Sequence, residues 1–126
     1  MTVLIDSWAW IEFFQGSHAG SKVMSYLEDD SDLILSTINL AEVYRWILRY
    51  YDQKTAEEKR MAMKERCMLI SVDEEIAVQA AEIRNRLKWG LGDSIVYATA
   101  RREAARVLTG DSDFKGQDDV IFLELS

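Results

Sequence analysis

The chain has no proline, one cysteine and one histidine in 126 residues. Without proline, nothing locks φ or removes a backbone donor inside a helix, so helical segments can run uninterrupted. The lone Cys67 excludes an internal disulfide, and with it a small cross-linked secreted scaffold. The lone His18 excludes zinc sites built from several imidazoles. No run approaches the roughly 20 apolar residues of a membrane span, and no basic stretch followed by an apolar core opens the chain. The expectation is a cytoplasmic protein with no membrane partner. Hydrophobic residues make up 48% and charged residues 29%, which excludes a disordered chain. That is apolar material enough for one core, and residues 1–126 are expected to form a single domain.

Excess positive charge is also missing: the formal net charge is −7. Its distribution matters more than its sum. Residues 43–106 hold 13 of the 15 Lys/Arg and 10 of the 22 Asp/Glu, whereas the two ends together hold 2 basic and 12 acidic residues. The middle of the chain can therefore present basic patches to a polyanion although the whole is acidic.

What is present alternates between two periods. Thr2-Val3-Leu4-Ile5 reads as a buried strand running into Asp6. Ser7 to Phe14 reads as a short helix ended by Gly16, and 18–28 as a second helix. Leu33 to Leu35 reads as a strand, followed by a helix capped by Ser36 or Thr37, or by Asn39 paired with Glu42. Thr55 with Glu58 predicts a capping box for the next helix, to about Arg66. Met68 to Val72 is a third strand, with Cys67 leading into it as a buried segment. Asp73 caps a long helix ending before Gly90, and Gly90-Leu91-Gly92 delivers Asp93 to the start of another, to about Ala104. Arg106 to Thr109 and Val120 to Leu125 complete the strands. Strands alternating with helices predict βαβ units: an α/β fold, a three-layer α/β/α sandwich on a mostly parallel sheet of four to five strands.

In such a sheet, sites lie at the carboxyl ends of the strands. Asp6 follows the first strand, Asp111 lies one glycine past the fourth, Asp93 opens a helix, and Glu42 lies in the first turns of the helix after the second strand. Asp113 is two residues beyond Asp111. Asp93, Glu42 and Asp111 each have an ordinary structural explanation, as a helix cap or a turn residue, whereas Asp6, directly after a buried strand, needs a partner or a purpose. Four at one sheet edge are harder to explain that way, because crowded carboxylates repel and raise one another's pKa unless a cation joins them. Carboxylate oxygens suit Mg²⁺ or Mn²⁺, and such ions assist in-line phosphoryl displacement.

Four ordered segments carry a family resemblance: VLIDSWAWIEFF around Asp6, STINLAEVYRWI around Glu42, GLGDSIVYATARREAARVLTGDSDF around Asp93 and Asp111, and the terminal VIFLEL. The sequence resembles PIN domains, most closely the small prokaryotic members typified by VapC ribonuclease toxins. The resemblance implies an endoribonuclease dependent on Mg²⁺ or Mn²⁺, the toxin of a toxin–antitoxin pair. It implies a homodimer whose groove a small antitoxin blocks, partly by presenting basic residues to the acids. Asp6, Glu42, Asp93 and Asp111 match the family's metal-binding acids. Ser7 and Thr109 match hydroxyl positions that support the site, and Asp113 matches a further acid, a direct or water-mediated ligand. The loop Trp89-Gly90-Leu91-Gly92 departs from relatives that carry proline there.

Other signals are weaker. A Cys67–His18 nucleophilic pair is poorly placed, and Gly16 to Lys22 has the wrong order for a phosphate-binding loop. Trp46 and Tyr50 share a helix face beside Arg45 and Arg49, which reads as a dimer or partner surface. Arg45, Arg49, Arg84, Arg86, Lys88, Arg101, Arg102 and Arg106 are candidates for steering RNA. Two other readings compete: an inactive PIN-like module that binds RNA or protein, and a receiver- or phosphatase-like phosphotransfer domain. The second is disfavoured by the lack of an Asp-x-Asp after the first strand and by the positions of Asp29-Asp30 and Lys115.

Overall fold

The computed structural model describes residues 1–124. Five strands, β1 (Thr2–Ile5), β2 (Asp32–Ser36), β3 (Met68–Ile70), β4 (Arg106–Thr109) and β5 (Val120–Phe122), form one sheet in the order β3-β2-β1-β4-β5. All four pairings are parallel, with Leu4 opposite Ile34 on one side and Val107 on the other. Six helices connect them: α1 (Ser7–Gln15), α2 (His18–Glu28), α3 (Thr37–Tyr50), α4 (Gln53–Arg66), α5 (Glu74–Leu87) and α6 (Leu91–Arg102). This is the expected α/β/α sandwich. None of the helices is long and apolar enough to cross a membrane.

The alternation of side chains along each strand divides the core in two. Val3, Ile5, Leu33, Leu35 and Leu108 face Trp10, Val23, Val43, Ile47 and Met63 from α1 to α4. Leu4, Ile34 and Val107 face Ile76, Ala80, Ile83, Val96 and Tyr97 from α5 and α6. The central strand β1 is sealed on both sides, with Val3, Leu4 and Ile5 all at 0% exposure. The two edge strands are only three residues long, which limits the unpaired backbone they offer to other chains.

Several local readings are corrected. Helix α3 starts at Thr37 with Ser36 as its cap, and Asn39 lies buried inside the helix, so the Asn39–Glu42 capping alternative fails. Helix α4 starts earlier than the Thr55–Glu58 box implies: the Asp52 carboxylate accepts the Thr55 N–H at 2.7 Å and caps it. Strand β3 ends at Ile70 and is an exposed edge, with Met68 67% accessible; only Cys67 before it is buried. Strand β5 ends at Phe122, although the Leu123 N–H still donates to the Thr109 carbonyl at 2.8 Å; Leu125 lies outside the described residues.

Helices α1 and α2 cross closely at Gly20. A Cβ there would lie 2.3 Å from the Glu12 carbonyl oxygen and 2.8 Å from the Phe13 Cα, both backbone atoms that cannot swing aside. Gly20→Ala is therefore expected to cost about 2–3 kcal/mol, the upper range for overpacking. Urea denaturation should show a lower midpoint with an unchanged m-value.

Candidate functional site

The strand order reverses direction at β1: the chain proceeds outward through β2 and β3, then returns to place β4 on the other flank of β1. In open parallel sheets the crevice outside the strand ends at that point is where ligands bind. Asp6 leaves β1 there and Asp111 lies just past β4. The structure brings Asp6, Ser7, Glu42, Asp93, Thr109, Asp111 and Asp113 to this one crevice.

Asp6 is 4% exposed and stands before α1 without capping it; its carboxylate is turned into the crevice chain of hydrogen bonds instead. Its Oδ2 accepts the Thr109 hydroxyl at 2.8 Å, and Thr109 Oγ1 in turn accepts the Asp111 backbone N–H at 3.0 Å. Its Oδ1 accepts Asn39 Nδ2 at 3.2 Å. Asn39 Nδ2 also donates to Ser7 Oγ at 2.9 Å, which leaves the Ser7 proton for Glu42 Oε1 at 2.7 Å. Asp6, Asn39, Ser7 and Glu42 thus form one polar chain linking β1 to α3. Glu42 itself is exposed, and its other oxygen lies 3.3 Å from where a Cβ on Gly92 would stand. Gly92 therefore lets the Glu42 carboxylate approach the segment that carries Asp93.

Asp93 is the third residue of α6, whose cap position is Gly90, so the capping explanation of this acid does not hold. One carboxylate oxygen each from Asp93, Asp111 and Asp113 lies within 4.8 Å of the others. Asp111 keeps its turn role as well, accepting the Asp113 N–H at 3.0 Å. Gly110 between Thr109 and Asp111 lies under the Trp8 indole, where a Cβ would come within 2.3 Å of the ring. Trp8 thereby holds the Thr-Gly-Asp turn against α1.

The electrostatics reflect this crowding. Burial pushes the Asp6 carboxyl up to about 6, against the lowering effect of the Thr109 hydroxyl and the Ser7 N–H, with the Glu42 and Asp111 charges adding to the rise. Burial and then the charges of Asp111 and Asp6 push Asp93 up to about 7, with Asp113 adding to it. No Lys or Arg forms an ion pair with any of these five acids among the described residues. The donor set is all carboxylate and hydroxyl oxygen, which fits a hard divalent cation and does not fit a soft thiolate-seeking metal.

Asn39 is the member of the site that sequence reasoning passed over. Its signal was position: three residues before Glu42 it shares a helix face with it, directed at the strand end. The discounted signals stay apart. His18 is exposed at the start of α2, while Cys67 is buried with its thiol pushed up to about 11 by desolvation, so it is not a thiolate at neutral pH. Asp29 and Asp30 precede β2, at the sheet edge opposite the acids, and the Lys115 ammonium pairs with Glu124 at 3.6 Å. A receiver-type site needs such groups together.

An acidic crevice at the switch point of a parallel sheet, with three carboxylates drawn together and no ion-paired cation among the described residues, defines a class: an α/β domain with a polar site at its strand ends. The particular family follows from comparison with known proteins. The PIN domain family model matches residues 3–120, and the chain belongs to that family. Among solved structures it is similar to a chain of a toxin–antitoxin complex from Klebsiella pneumoniae, with a TM-score of 0.84 and 23% identity over 98% of this chain and 99% of that one. It is also similar to a chain of VapBC2 from Rickettsia felis bound to a promoter DNA fragment (TM-score 0.78, 16% identity, 100% of both chains). A third similar structure is Mycobacterium tuberculosis VapC20, a toxin that cleaves the sarcin-ricin loop (TM-score 0.77, 17% identity, 94% of this chain and 96% of that one). At these identities the likeness speaks for the fold. No curated protein matches the chain significantly in sequence.

Proposed function

We propose that the protein is an endoribonuclease that hydrolyses RNA phosphodiester bonds with Mg²⁺ or Mn²⁺, and that it is the toxin of a toxin–antitoxin pair. The observation that carries this reading is the convergence of the Asp93, Asp111 and Asp113 carboxylates, within 4.8 Å and without an ion-paired cation among the described residues, beside the buried Asp6. Asp6, Glu42, Asp93, Asp111 and Asp113 would hold the ion. When bound, it supplies the Lewis acidity that activates water and neutralises charge developing on the phosphate. The chain's own contribution is arrangement. Thr109 and Asn39 each donate to one oxygen of Asp6, which keeps that carboxylate in a single orientation. Ser7 holds Glu42 toward the same crevice. No side-chain nucleophile is required.

The kinship with structures of toxin–antitoxin complexes supports a small antitoxin as partner, one that presents basic groups to the acids. Leu48, Tyr50 and Tyr51 at the end of α3 are 46–60% exposed beside the half-buried Trp46, which supports a homodimer or partner face there. The proposed setting is the cytoplasm, where both an antitoxin and RNA are available.

Purified protein, freed of any co-purified inhibitor, should cleave a mixed structured-RNA pool with Mn²⁺ or Mg²⁺ and cease to do so in EDTA. Cleavage undiminished by EDTA would refute the metal-dependent reading. Asn39→Ala removes the donor shared by Asp6 and Ser7. It is expected to weaken Mn²⁺ binding by roughly ten-fold, as loss of a group orienting a ligand does. Isothermal titration with Mn²⁺ at constant pH checks this, and an unchanged affinity would remove Asn39 from the site.

A further inference from the structure

Helix α5 ends beside the acidic crevice in an open groove of about 470 Å³, lined by Ala81, Arg84, Asn85, Lys88 and Trp89. Arg84 lies in the last turn of α5 and Lys88 is its cap residue, and both line the groove. Among the described residues neither makes an ion pair, whereas the cations of the adjacent α6 are engaged: Arg101 with Asp119, and Arg102 with Asp73, Glu75 and Glu103. Lys88 closes α5 in the left-handed region, at φ 60 and ψ 31, with its N–H on the Arg84 carbonyl at 2.8 Å. Glycine adopts that conformation freely and lysine only with strain.

Trp89 ties this groove to the acids. Its ring packs edge-on against Tyr97 of α6 at 5.3 Å and against Phe114 at 5.0 Å. Phe114 follows Asp113 directly, and Asp93 lies four positions after Trp89. The groove's Trp89 and the segments that carry Asp93 and Asp113 therefore share one aromatic cluster. A polyanion approaching that crevice, in a chain of net charge −7, meets repulsion unless a local cationic track offsets it.

We propose that this groove binds the sugar-phosphate backbone of single-stranded RNA flanking the scissile bond, with Arg84 and Lys88 on phosphates and the exposed edge of Trp89 against a base or ribose. The assignment rests on the nuclease reading above. A purely structural role, in which the two cations only complement the carbonyl end of α5, makes different predictions. Binding of a fluorescein-labelled, mixed-sequence single-stranded RNA to the full chain carrying Asp93→Asn, followed by anisotropy across a salt series, separates them. Adding Arg84→Glu or Lys88→Glu should weaken binding by about three- to ten-fold. It should also flatten the slope of log K against log salt by about 0.7 for each phosphate no longer neutralised. Lys64→Glu, the same charge change at an exposed cation of α4 outside the groove, should leave both unchanged. Lys88→Gly should raise the Tm, because it relieves the left-handed strain, and at the same time weaken binding. Charge reversals that leave affinity and slope intact while the Asp93→Asn parent binds RNA would overturn the groove assignment alone. So would a Lys88→Gly variant that is more stable and binds as well. A parent that binds no RNA even at low salt would overturn the groove together with the nuclease reading.

Discussion

Asp93→Asn is expected to reduce RNA cleavage by on the order of 10² to 10³ or more, while making the metal-free protein more stable. Both effects have one cause. Asp93 is half-buried among Asp6, Asp111 and Asp113, and its carboxyl is pushed up to about 7 by burial and by those charges. The amide has the same shape and no charge, so it removes the repulsion along with an oxygen proposed to bind the cation. After discounting for the solvent that reaches this side chain, the gain is about 1–2 kcal/mol, a few degrees in Tm. Asp93 is a better choice than Asp6 for the experiment. At Asp6 the substituted amide would keep one acceptor oxygen for two donors, Asn39 Nδ2 and the Thr109 hydroxyl, so one of these hydrogen bonds would have to reverse. Thermal unfolding in EDTA, beside an RNA cleavage assay with Mn²⁺, tests both halves. Full activity in a folded Asp93→Asn protein would remove Asp93 from the chemistry.

The stability difference between the parent and Asp93→Asn should depend on pH, and added metal should reverse its sense. The folded-state values, about 6 for Asp6 and about 7 for Asp93, both lie above the usual 3.8. The folded state therefore holds these protons more tightly than the unfolded state does. Their stabilising contribution is complete below pH ~4 and is lost as pH rises through 6 to 7. For the almost fully buried Asp6 the loss by pH 7 amounts to about 3 kcal/mol. In EDTA, the advantage of Asp93→Asn over the parent should be absent near pH 4 and greatest above pH 7. Taking the difference between the two proteins cancels the opposite trend of exposed, hydrogen-bonded acids such as Asp29, Asp52 and Asp73, whose carboxyls are held below the usual value. At pH 7.5, Mn²⁺ or Mg²⁺ at about 100 times its Kd should then stabilise the parent by about 2.7 kcal/mol, and the variant by less. Calorimetry across pH, with and without metal, reads all of this. An advantage that stays constant with pH would mean that Asp93 is not held in a repulsive site.

Much of this architecture was legible because it follows from local rules. The Thr2–Ile5 run with an acid at its end, the Asp73 cap and the Gly90–Gly92 interruption each announce themselves within a few residues. The misreadings share a reason. Asn39 with Glu42, and Thr55 with Glu58, satisfy the local pattern of a capping pair, yet Ser36 and Asp52 already cap those helices. A cap is decided by which side chain reaches the first free N–H groups, and several candidates within one turn look alike in sequence. The length and burial of β3 were misjudged similarly, since an apolar run does not say whether its strand lies at the centre or the edge of a sheet.

The alternation of strand and helix, the parallel sheet it requires, and a set of acids at strand ends and helix starts are all written in the linear chain. They depend on periodicity and on residues adjacent along it. Which acids meet was settled by folding. The reversal of strand order around β1 sets Asp6 beside Thr109, 103 positions away, and the approach of α3 hangs Glu42 on Ser7 through a hydrogen bond spanning 35. Folding also made Asn39 part of the site rather than a cap, and left the crevice's acids without an ion-paired cation among the described residues. Charge repulsion falls off with distance and deepens with burial, and neither distance nor burial exists until the sheet has closed.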